Sequence, residues 1–276
     1  MAFLTPDKVR VVHGLEIKEK ILPASLKPNR KLSKGTGKAE YVTIHNTKDI
    51  KEAKGTNDAE QYARATFNGN MKGVSVHDYI DETDCWQILK DDEVGYHAAD
   101  GKYGPGNDTS IAIEIIMDGS GSAADKKAEE RGALLAAIKL HENGLGIDRL
   151  TTHNHWYPKK YCPAYILPHW SEFKKKVENY LAEIKAAEKA ENQAKTEASE
   201  KSVCLYKVQA GSFGVEKNAK NLVTKLKAKG FEAIIVKSGK LFKVQAGSFG
   251  VKKNAEALVK KLKAAGFDAI ILTVKS

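Results

Sequence analysis

The segment Ser110-Ile111-Ala112-Ile113-Glu114-Ile115-Ile116 decides the fold, because it is apolar at nearly every position. Strands buried on both faces of a sheet have such continuous apolar runs, so this segment predicts a central strand. Around it, apolar patterning predicts further strands over 41–45, 74–80 and 85–89, and helices over 57–67 and 125–142. This alternation predicts a mixed α/β sheet flanked by helices. The Pro- and Gly-containing residues 1–38 predict an extended lead-in on the surface.

The C-terminal part is an internal repeat, in which residues 205–240 and 241–276 share 24 identities over 36 positions. Each copy predicts a strand, a glycine turn, a helix and a second strand. One copy is too small to bury its own apolar face, whereas two copies together can bury theirs. We therefore predict a small α+β domain of ferredoxin-like type, built from two βαβ repeats with a four-stranded sheet and two helices on one side.

The composition changes between these two regions. Residues 182–202 are mostly Ala, Glu, Lys, Gln and Ser, which is typical of a polar linker that is either helical or flexible. The sequence therefore predicts a first domain over 1–181, a linker over 182–202 and a second domain over 203–276.

The net charge of +10 is unevenly distributed along the chain. Residues 203–276 hold 15 lysines and four acidic residues, whereas the rest of the chain holds 30 basic and 31 acidic residues. A positive field confined to one domain predicts an anionic partner for that domain. No apolar run approaches the roughly 18 residues of a membrane span.

Two features of the sequence concern the compartment. Pro6, Asp7 and Lys8 stand where a secretory signal would need an apolar stretch, so we predict synthesis in the cytoplasm without a signal peptide. The three cysteines are too few and too scattered for a disulfide framework, which favours free thiols. Cys162 is then available as a thiolate ligand.

Two distant segments offer the ligands that a catalytic zinc ion requires. His45 ends the strand over 41–45, and a later loop carries His153 and Cys162. A catalytic zinc takes three nitrogen, sulfur or oxygen ligands from the protein and leaves a fourth position for water. Lys160, close to Cys162, is a candidate for holding a developing oxyanion, with a solvated loop lysine as the alternative.

Glu114 is a carboxylate inside an apolar strand. One interpretation is a general base beside a metal, with a pKa raised by burial. The alternative is a side chain that points outward from an edge strand.

In their order along the chain, these segments resemble the type-2 N-acetylmuramoyl-L-alanine amidase family, which includes bacteriophage endolysins, AmpD-like enzymes and peptidoglycan recognition proteins. The resemblance covers roughly residues 25–180 and rests on Val42–Thr47, Val74–Asp81, Gly95–Gly101, Gly106–Glu114, His153–Trp156 and Lys160–Pro163.

The resemblance implies a ligand set and a reaction. The family's zinc (Zn²⁺) ligands map to His45, His153 and Cys162, its acid/base carboxylate to Glu114 and its assisting lysine to Lys160. The implied reaction is hydrolysis of the amide between N-acetylmuramic acid and L-alanine. The segment from Trp156 to Cys162 is one residue longer than is usual for phage members, which leaves His155 as an alternative to His153.

Three further residues fall in family-like segments as candidate substrate contacts. Asn46 and Thr47 follow His45 directly, and His97 precedes a glycine-rich loop. The alternative for His97 is a packing or surface histidine.

The repeat resembles the SPOR domain, a module that binds the glycan strands of peptidoglycan. Its Val-Gln-x-Gly-Ser-Phe signature occurs twice, at 208–213 and 244–249. The resemblance implies six candidate wall contacts: Gln209, Ser212, Phe213, Gln245, Ser248 and Phe249. For the two phenylalanines the alternative is packing in the core.

Together these patterns predict a wall-lytic zinc amidase of a Gram-positive system, either a phage endolysin released by a holin or an autolysin freed by lysis of the mother cell. The predicted partners are peptidoglycan glycan strands and stem peptides, with anionic wall polymers as a further candidate, and neither nucleic acid nor a membrane span. The alternatives are a catalytically inactive peptidoglycan recognition protein and a cytosolic amidase that recycles muropeptides.

Overall fold

A computed structural model describes residues 3–47 and 58–275 of the chain. Its contacts divide the chain into two compact units, Met1–Ala187 and Glu188–Ser276. The domain borders at 181 and 203 stay predictions, since one long helix, Trp170–Val203, runs through the segment predicted as a linker. In the described part of the chain, no helix has both the length and the apolar composition to cross a membrane.

The first unit alternates strands and helices. Its strands are β1 (Lys8–Val12), β2 (Leu15–Glu19), β3 (Tyr41–Asn46), β4 (Asp78–Ile80), β5 (Cys85–Gln87), β6 (Ser110–Ile115) and β7 (Leu150–Thr152). Its helices are α1 (Leu32–Gly35), α2 (Asp58–Phe67), α3 (Pro105–Thr109), α4 (Ala123–Glu142), α5 (His153–Trp156) and the first part of α6 (Trp170–Val203), which continues past Ala187. One-turn 3-10 helices lie at Ala24–Leu26, Ile147–Arg149 and Leu167–His169.

The strands form one mixed sheet in the order β1-β2-β5-β4-β6-β3-β7. The strands β4, β6, β3 and β7 are mutually parallel, while β5 is antiparallel to β4. The predicted central strand is confirmed, because β6 lies between β4 and β3 and is buried at every position except the half-buried Glu114. The predicted mixed α/β sheet flanked by helices is confirmed as well.

Alternate residues of β3 and β6 face two different cores. On one face, Ile44 and Ile113 pack with α4 and with Phe173 and Val177 of α6. On the other face, Ala112 packs with Ala59 of α2 and with residues around β4 and β5. His45 and Glu114 each come directly after Ile44 and Ile113 along their strands. Because successive side chains of a strand point to opposite faces, His45 and Glu114 lie on the face that packs against α2.

Two expectations need correction. The lead-in over 1–38 is not a surface wrap, because β1 and β2 form a hairpin that joins the sheet beside β5. Leu15 and Ile17 alternate along β2 and are fully buried, which explains why this hairpin docks. The strand predicted over 74–80 is regular only over Asp78–Ile80, since Ser75 bonds to the Tyr96 carbonyl in a loop.

The second unit confirms the predicted two-repeat α+β domain. Its elements are β8 (Cys204–Phe213), α7 (Glu216–Ala228), β9 (Ile234–Ser238), β10 (Leu241–Phe249), α8 (Lys252–Ala264) and β11 (Ile270–Lys275). The sheet order is β11-β8-β10-β9 with antiparallel neighbours, as in a ferredoxin-like split βαβ arrangement. Val208 and Val244 of the two central strands are buried beneath Leu226 of α7 and Leu262 of α8.

Candidate metal centre and cleft

The site is built on a row of side chains across the parallel strands of the first unit. His45 of β3 pairs in register with Glu114 of β6, which pairs in turn with Tyr79 of β4. Neighbouring strands lie about 4.8 Å apart, and residues in register point to the same face. The fold therefore puts the predicted histidine ligand and the predicted carboxylate side by side.

The structure brings together the three predicted ligands. One ligand atom each from His45, His153 and Cys162 lies within 4.8 Å of the others, and all three side chains are buried. Cys162 Sγ is 3.8 Å from His45 Nδ1, and the His45 and His153 rings have centroids 4.6 Å apart.

Local structure explains how the later loop delivers its two ligands. Thr152 ends β7 and caps α5, because its side chain accepts a hydrogen bond from the His155 backbone N–H. His153 is therefore the first residue of a helical turn that starts at the end of a strand next to β3. The Asn154 N–H donates to the Cys162 carbonyl at 2.8 Å, which folds the loop back beside the helix.

His155 lies outside this cluster. Its side chain is exposed, and its ring packs edge-on against Trp156 at a centroid distance of 4.7 Å. Of the two candidates that the sequence left open, the geometry brings His153 to His45 and Cys162.

The donor set fits a zinc ion. Two imidazoles and a thiolate are ligands that zinc takes in catalytic sites. Neither ring nitrogen of His153 has a hydrogen bond of good geometry within the described part of the chain, although both are buried. Buried polar atoms normally have a hydrogen-bond partner, so an imidazole nitrogen without one is available to coordinate a metal ion.

Burial keeps the free ligands neutral. It lowers the pKa of His45 well below its usual value and that of His153 to about 4, with the charge of Lys160 adding to both shifts. It raises the pKa of the Cys162 thiol to about 12, with Glu114 adding to that shift. Neutral imidazoles are competent ligands, and a bound cation would favour the thiolate.

Glu114 has the electrostatics of a proton acceptor near neutral pH. Burial raises its pKa to about 7, while the positive charge of Lys160 opposes that rise. Because β6 is an internal strand, the alternative of a side chain pointing out from a sheet edge does not describe this structure.

A cleft of about 510 Å³ opens onto this cluster. The site residues that line it are His153, Lys160 and His97. Lys72 and Lys102 line it as well, and no sequence pattern singled them out. Of these residues, Lys160 is exposed, whereas His97 is buried.

Asn46 and Thr47 occupy scaffold positions. The Asn46 side chain donates to the Thr47 carbonyl and accepts from the Tyr165 N–H at 3.1 Å. The Thr47 hydroxyl bonds to both the carbonyl and the N–H of Met117, each at 2.8 Å. These bonds fix the backbone at the ends of β3 and β6. The polar side-chain atoms of Asn46 and Thr47 are thus hydrogen-bonded within the protein.

In the second unit, the polar candidates lie on the sheet face away from the helices. Gln209 and Gln245 pair across the central strands, and Ile270 and Ile234 flank them on the outer strands. Ser212 and Ser248 are exposed, each in register with a lysine of the neighbouring central strand.

The two phenylalanines face the helices instead. A Cβ on Gly211 would meet both Leu222 and the Phe213 ring, and a Cβ on Gly247 would meet Leu258 and the Phe249 ring. Each ring therefore lies beside a helix leucine, in the packing position that the sequence left open as the alternative.

Family models match both units. Residues 35–165 match the N-acetylmuramoyl-L-alanine amidase model, and residues 205–273 match the SPOR domain model. The chain joins an N-acetylmuramoyl-L-alanine amidase domain to a SPOR domain. Both resemblances noted in the sequence are thereby confirmed.

Similar proteins support the amidase domain. Two relatives from Bacillus subtilis (strain 168) are the N-acetylmuramoyl-L-alanine amidases XlyB, 36% identical over 55% of this chain and 46% of its own, and CwlH, 37% identical over 48% and 50%. The chain thus spans about half the length of these relatives. The solved catalytic domain of XlyA is 28% identical over 59% of this chain and 99% of its own, with a TM-score of 0.51.

Proposed function

We propose that this protein is a zinc-dependent peptidoglycan hydrolase that cleaves the amide bond between N-acetylmuramic acid and L-alanine. The observation that carries the proposal is the buried cluster of His45, His153 and Cys162 with Glu114 in the adjacent strand. The family match of residues 35–165 supports the reaction class.

In this proposal His45, His153 and Cys162 hold the metal. When bound, zinc supplies Lewis acidity, which acidifies water and polarises a carbonyl group. The protein's own contribution is to desolvate the ligands and to direct both imidazoles and the sulfur to one point. A site with three protein ligands leaves room for the reacting groups.

Glu114 acts as the general base and then as the general acid. With a pKa raised to about 7, its carboxyl group can both take and return a proton near neutral pH. It would accept the proton of the attacking water and deliver it to the leaving amide nitrogen of L-alanine.

Lys160 stabilises the negative charge that develops on the carbonyl oxygen. Its ammonium group lines the cleft and is close enough to Glu114 to lower the pKa of that carboxyl group. Such a charge lowers the barrier because it interacts more strongly with the transition state than with the neutral amide.

The second unit binds the wall in this proposal. The row formed by Ile270, Gln209, Gln245 and Ile234 offers amides for sugar hydroxyls between apolar side chains. The lysine-rich composition of this unit suits anionic wall polymers as an additional partner. Attachment to an insoluble substrate raises the effective concentration of the catalytic domain there.

The proposed setting is the wall of a Gram-positive bacterium. The Bacillus subtilis relatives and an endolysin from the same species among the similar structures support it. Both a phage endolysin and a mother-cell autolysin fit this setting.

The proposal is tested with a soluble muropeptide and the full chain. Mass spectrometry should show two products, the free sugar acid and a peptide with an N-terminal L-alanine. A Glu114→Gln variant should lose this activity, while Glu172→Gln, at an exposed position of α6, should retain it. Cleavage within the peptide or between the sugars would overturn the proposal.

A further inference from the structure

The two ring nitrogens of His45 face different partners. Nδ1 lies 3.8 Å from Cys162 Sγ and therefore faces the metal cluster. Nε2 lies 3.1 Å from Nδ1 of His97, and the two rings meet edge to face with centroids 5.1 Å apart. If Nδ1 is the ligand atom, Nε2 of the neutral His45 ring carries the proton, and this N–H donates a hydrogen bond to His97 Nδ1.

The hydrogen bonds on the other side of the His97 ring are consistent with His45 as the donor and His97 as the acceptor. With Nδ1 accepting, a neutral His97 has its proton on Nε2, which lies 3.5 Å from the Ser110 hydroxyl. That hydroxyl is free to accept, because its own proton is donated to the Gly106 carbonyl at 2.6 Å. It also accepts from the Thr43 hydroxyl at 2.8 Å. Each donor in this set is used once.

The same set of hydrogen bonds reaches α5, the helical turn that carries His153. Thr43 accepts a hydrogen bond from the Trp156 indole N–H at 2.8 Å. Trp156 is the last residue of α5, the turn that begins with His153. One hydrogen-bonded chain, Trp156–Thr43–Ser110–His97–His45, therefore links the elements that carry both imidazole ligands.

His97 is itself held firmly. The backbone N–H groups of His97 and Ala98 both donate to Asn107 Oδ1, at 2.8 and 2.9 Å. Asn107 follows Gly106, where a Cβ would come within 2.6 Å of both Ala98 and Trp156. This close packing leaves the His97 ring little freedom to leave His45.

We propose that His97, which also lines the cleft, is a positioning residue for the metal site. Its Nδ1 accepts a hydrogen bond from His45 Nε2–H, which fixes the tautomer and the plane of the His45 ring and makes His45 Nδ1 a stronger electron-pair donor to the metal. Metal-bound histidines generally donate their second N–H to an acceptor such as a carboxylate, a backbone carbonyl or water, and losing that acceptor costs about 10- to 100-fold in metal affinity or activity. Here the acceptor is a neutral imidazole nitrogen. This inference rests on the proposed zinc site.

The test compares two variants of similar size and length in the full chain. His97→Gln keeps an acceptor oxygen for His45, whereas His97→Met fills the space with only a weak acceptor. Zinc affinity is measured by competition with a chromophoric chelator, and the ligand field by the visible spectrum of the Co²⁺ form. His155→Ala, at the exposed histidine, is the matched control.

We expect His97→Met to bind zinc about 10- to 100-fold more weakly with a shifted Co²⁺ spectrum, and His97→Gln to recover most of the affinity. Equal affinity of wild type and His97→Met would overturn the inference. So would equal weakening in both variants when their metal-free forms melt like the wild type. Should His97→Met not fold, His97→Leu replaces it as the variant without an acceptor, and the same comparison with His97→Gln decides. If the wild type itself binds no zinc, the proposed function fails instead.

Discussion

His45 and Glu114 are register partners in the parallel strands β3 and β6. Each is the alternate residue that faces away from the core beneath α4, so the two side chains leave the same side of the sheet. The proposed metal ligand and a carboxylate whose pKa is raised to about 7 are thereby held together by backbone pairing between strands, which positions side chains more precisely than a loop does.

This relationship makes Glu114 the first residue to test. Glu114→Gln removes the proton acceptor but keeps the size and the hydrogen-bonding capacity of the side chain. We expect kcat to fall by about 10²- to 10⁴-fold, as for loss of a general base. Steady-state kinetics on a soluble muropeptide measure the effect.

Zinc content is the control for that variant. Because Glu114 is not one of the three clustered ligands, Glu114→Gln should bind as much zinc as the wild type. Activity within threefold of wild type would exclude Glu114 as the base.

The two neighbouring histidines give opposite expectations. His153→Ala removes a buried member of the ligand cluster, and we expect loss of stoichiometric zinc and of activity. His155→Ala removes an exposed side chain outside the cluster and should change neither. Zinc content after dialysis separates the two variants, and the reverse pattern would transfer the ligand role to His155.

A stability prediction concerns a buried cation behind the site. Lys139 of α4 is fully buried, with its Nζ 3.1 Å from Asp78 Oδ2 and 2.6 Å from Asp91 Oδ1. Lys139→Met would remove the cation that contacts both carboxylates. We expect a loss of about 3–5 kcal/mol in the free energy of unfolding, measured by urea denaturation.

The same network supplies graded controls. Burial raises the pKa of Asp78 to about 7, although the charge of Lys139 opposes that rise. Because such a carboxyl group is only partly ionised near neutral pH, Asp78→Asn removes little negative charge. Its cost should be smaller than that of Lys139→Met. Lys127→Met, at an exposed position of the same helix, should be neutral within about 0.5 kcal/mol. A neutral Lys139→Met would show that the ion pairs contribute nothing.

Wall binding should depend on the paired glutamines. The double variant Gln209→Ala/Gln245→Ala removes both amides from the centre of the open sheet face. Losing one or two hydrogen bonds to sugar should weaken pelleting with purified walls roughly tenfold. Hydrolysis of a soluble muropeptide should stay unchanged.

The repeat provides a matched control on the other side of the domain. Asn218 and Asn254 occupy equivalent, exposed positions in the first turns of α7 and α8. Their double substitution by alanine should leave pelleting intact. If it weakens pelleting more than the glutamine pair does, the helix side is the wall-binding surface.

Much of this organisation was predictable from local patterns. The apolar run of β6 and the strand, glycine turn and helix pattern of each repeat copy are properties of neighbouring residues, and they led to correct elements. The two-repeat domain followed from sequence identity between its halves. The three ligands were brought together by family resemblance, since their spacing alone is not specific.

The rest depended on contacts between distant segments. The edge hairpin β1–β2 docks because Leu15 and Ile17 pack against residues far along the chain, among them Ile80 and Ile138. His97 was a candidate substrate contact and does line the cleft, but only the fold shows that its Nδ1 also faces His45. Asn46 and Thr47 follow a ligand in sequence, yet their hydrogen bonds are used within the scaffold.

The central claim is tested most directly by digesting purified Gram-positive walls with the full chain, after chelator treatment and again after adding zinc. Mass spectrometry of the soluble fraction identifies the bond that is cut. The account predicts stem peptides that begin with L-alanine, absent after chelation and restored by zinc. Release of new sugar reducing ends, of cleaved cross-bridges, or of the same peptides without metal would contradict it.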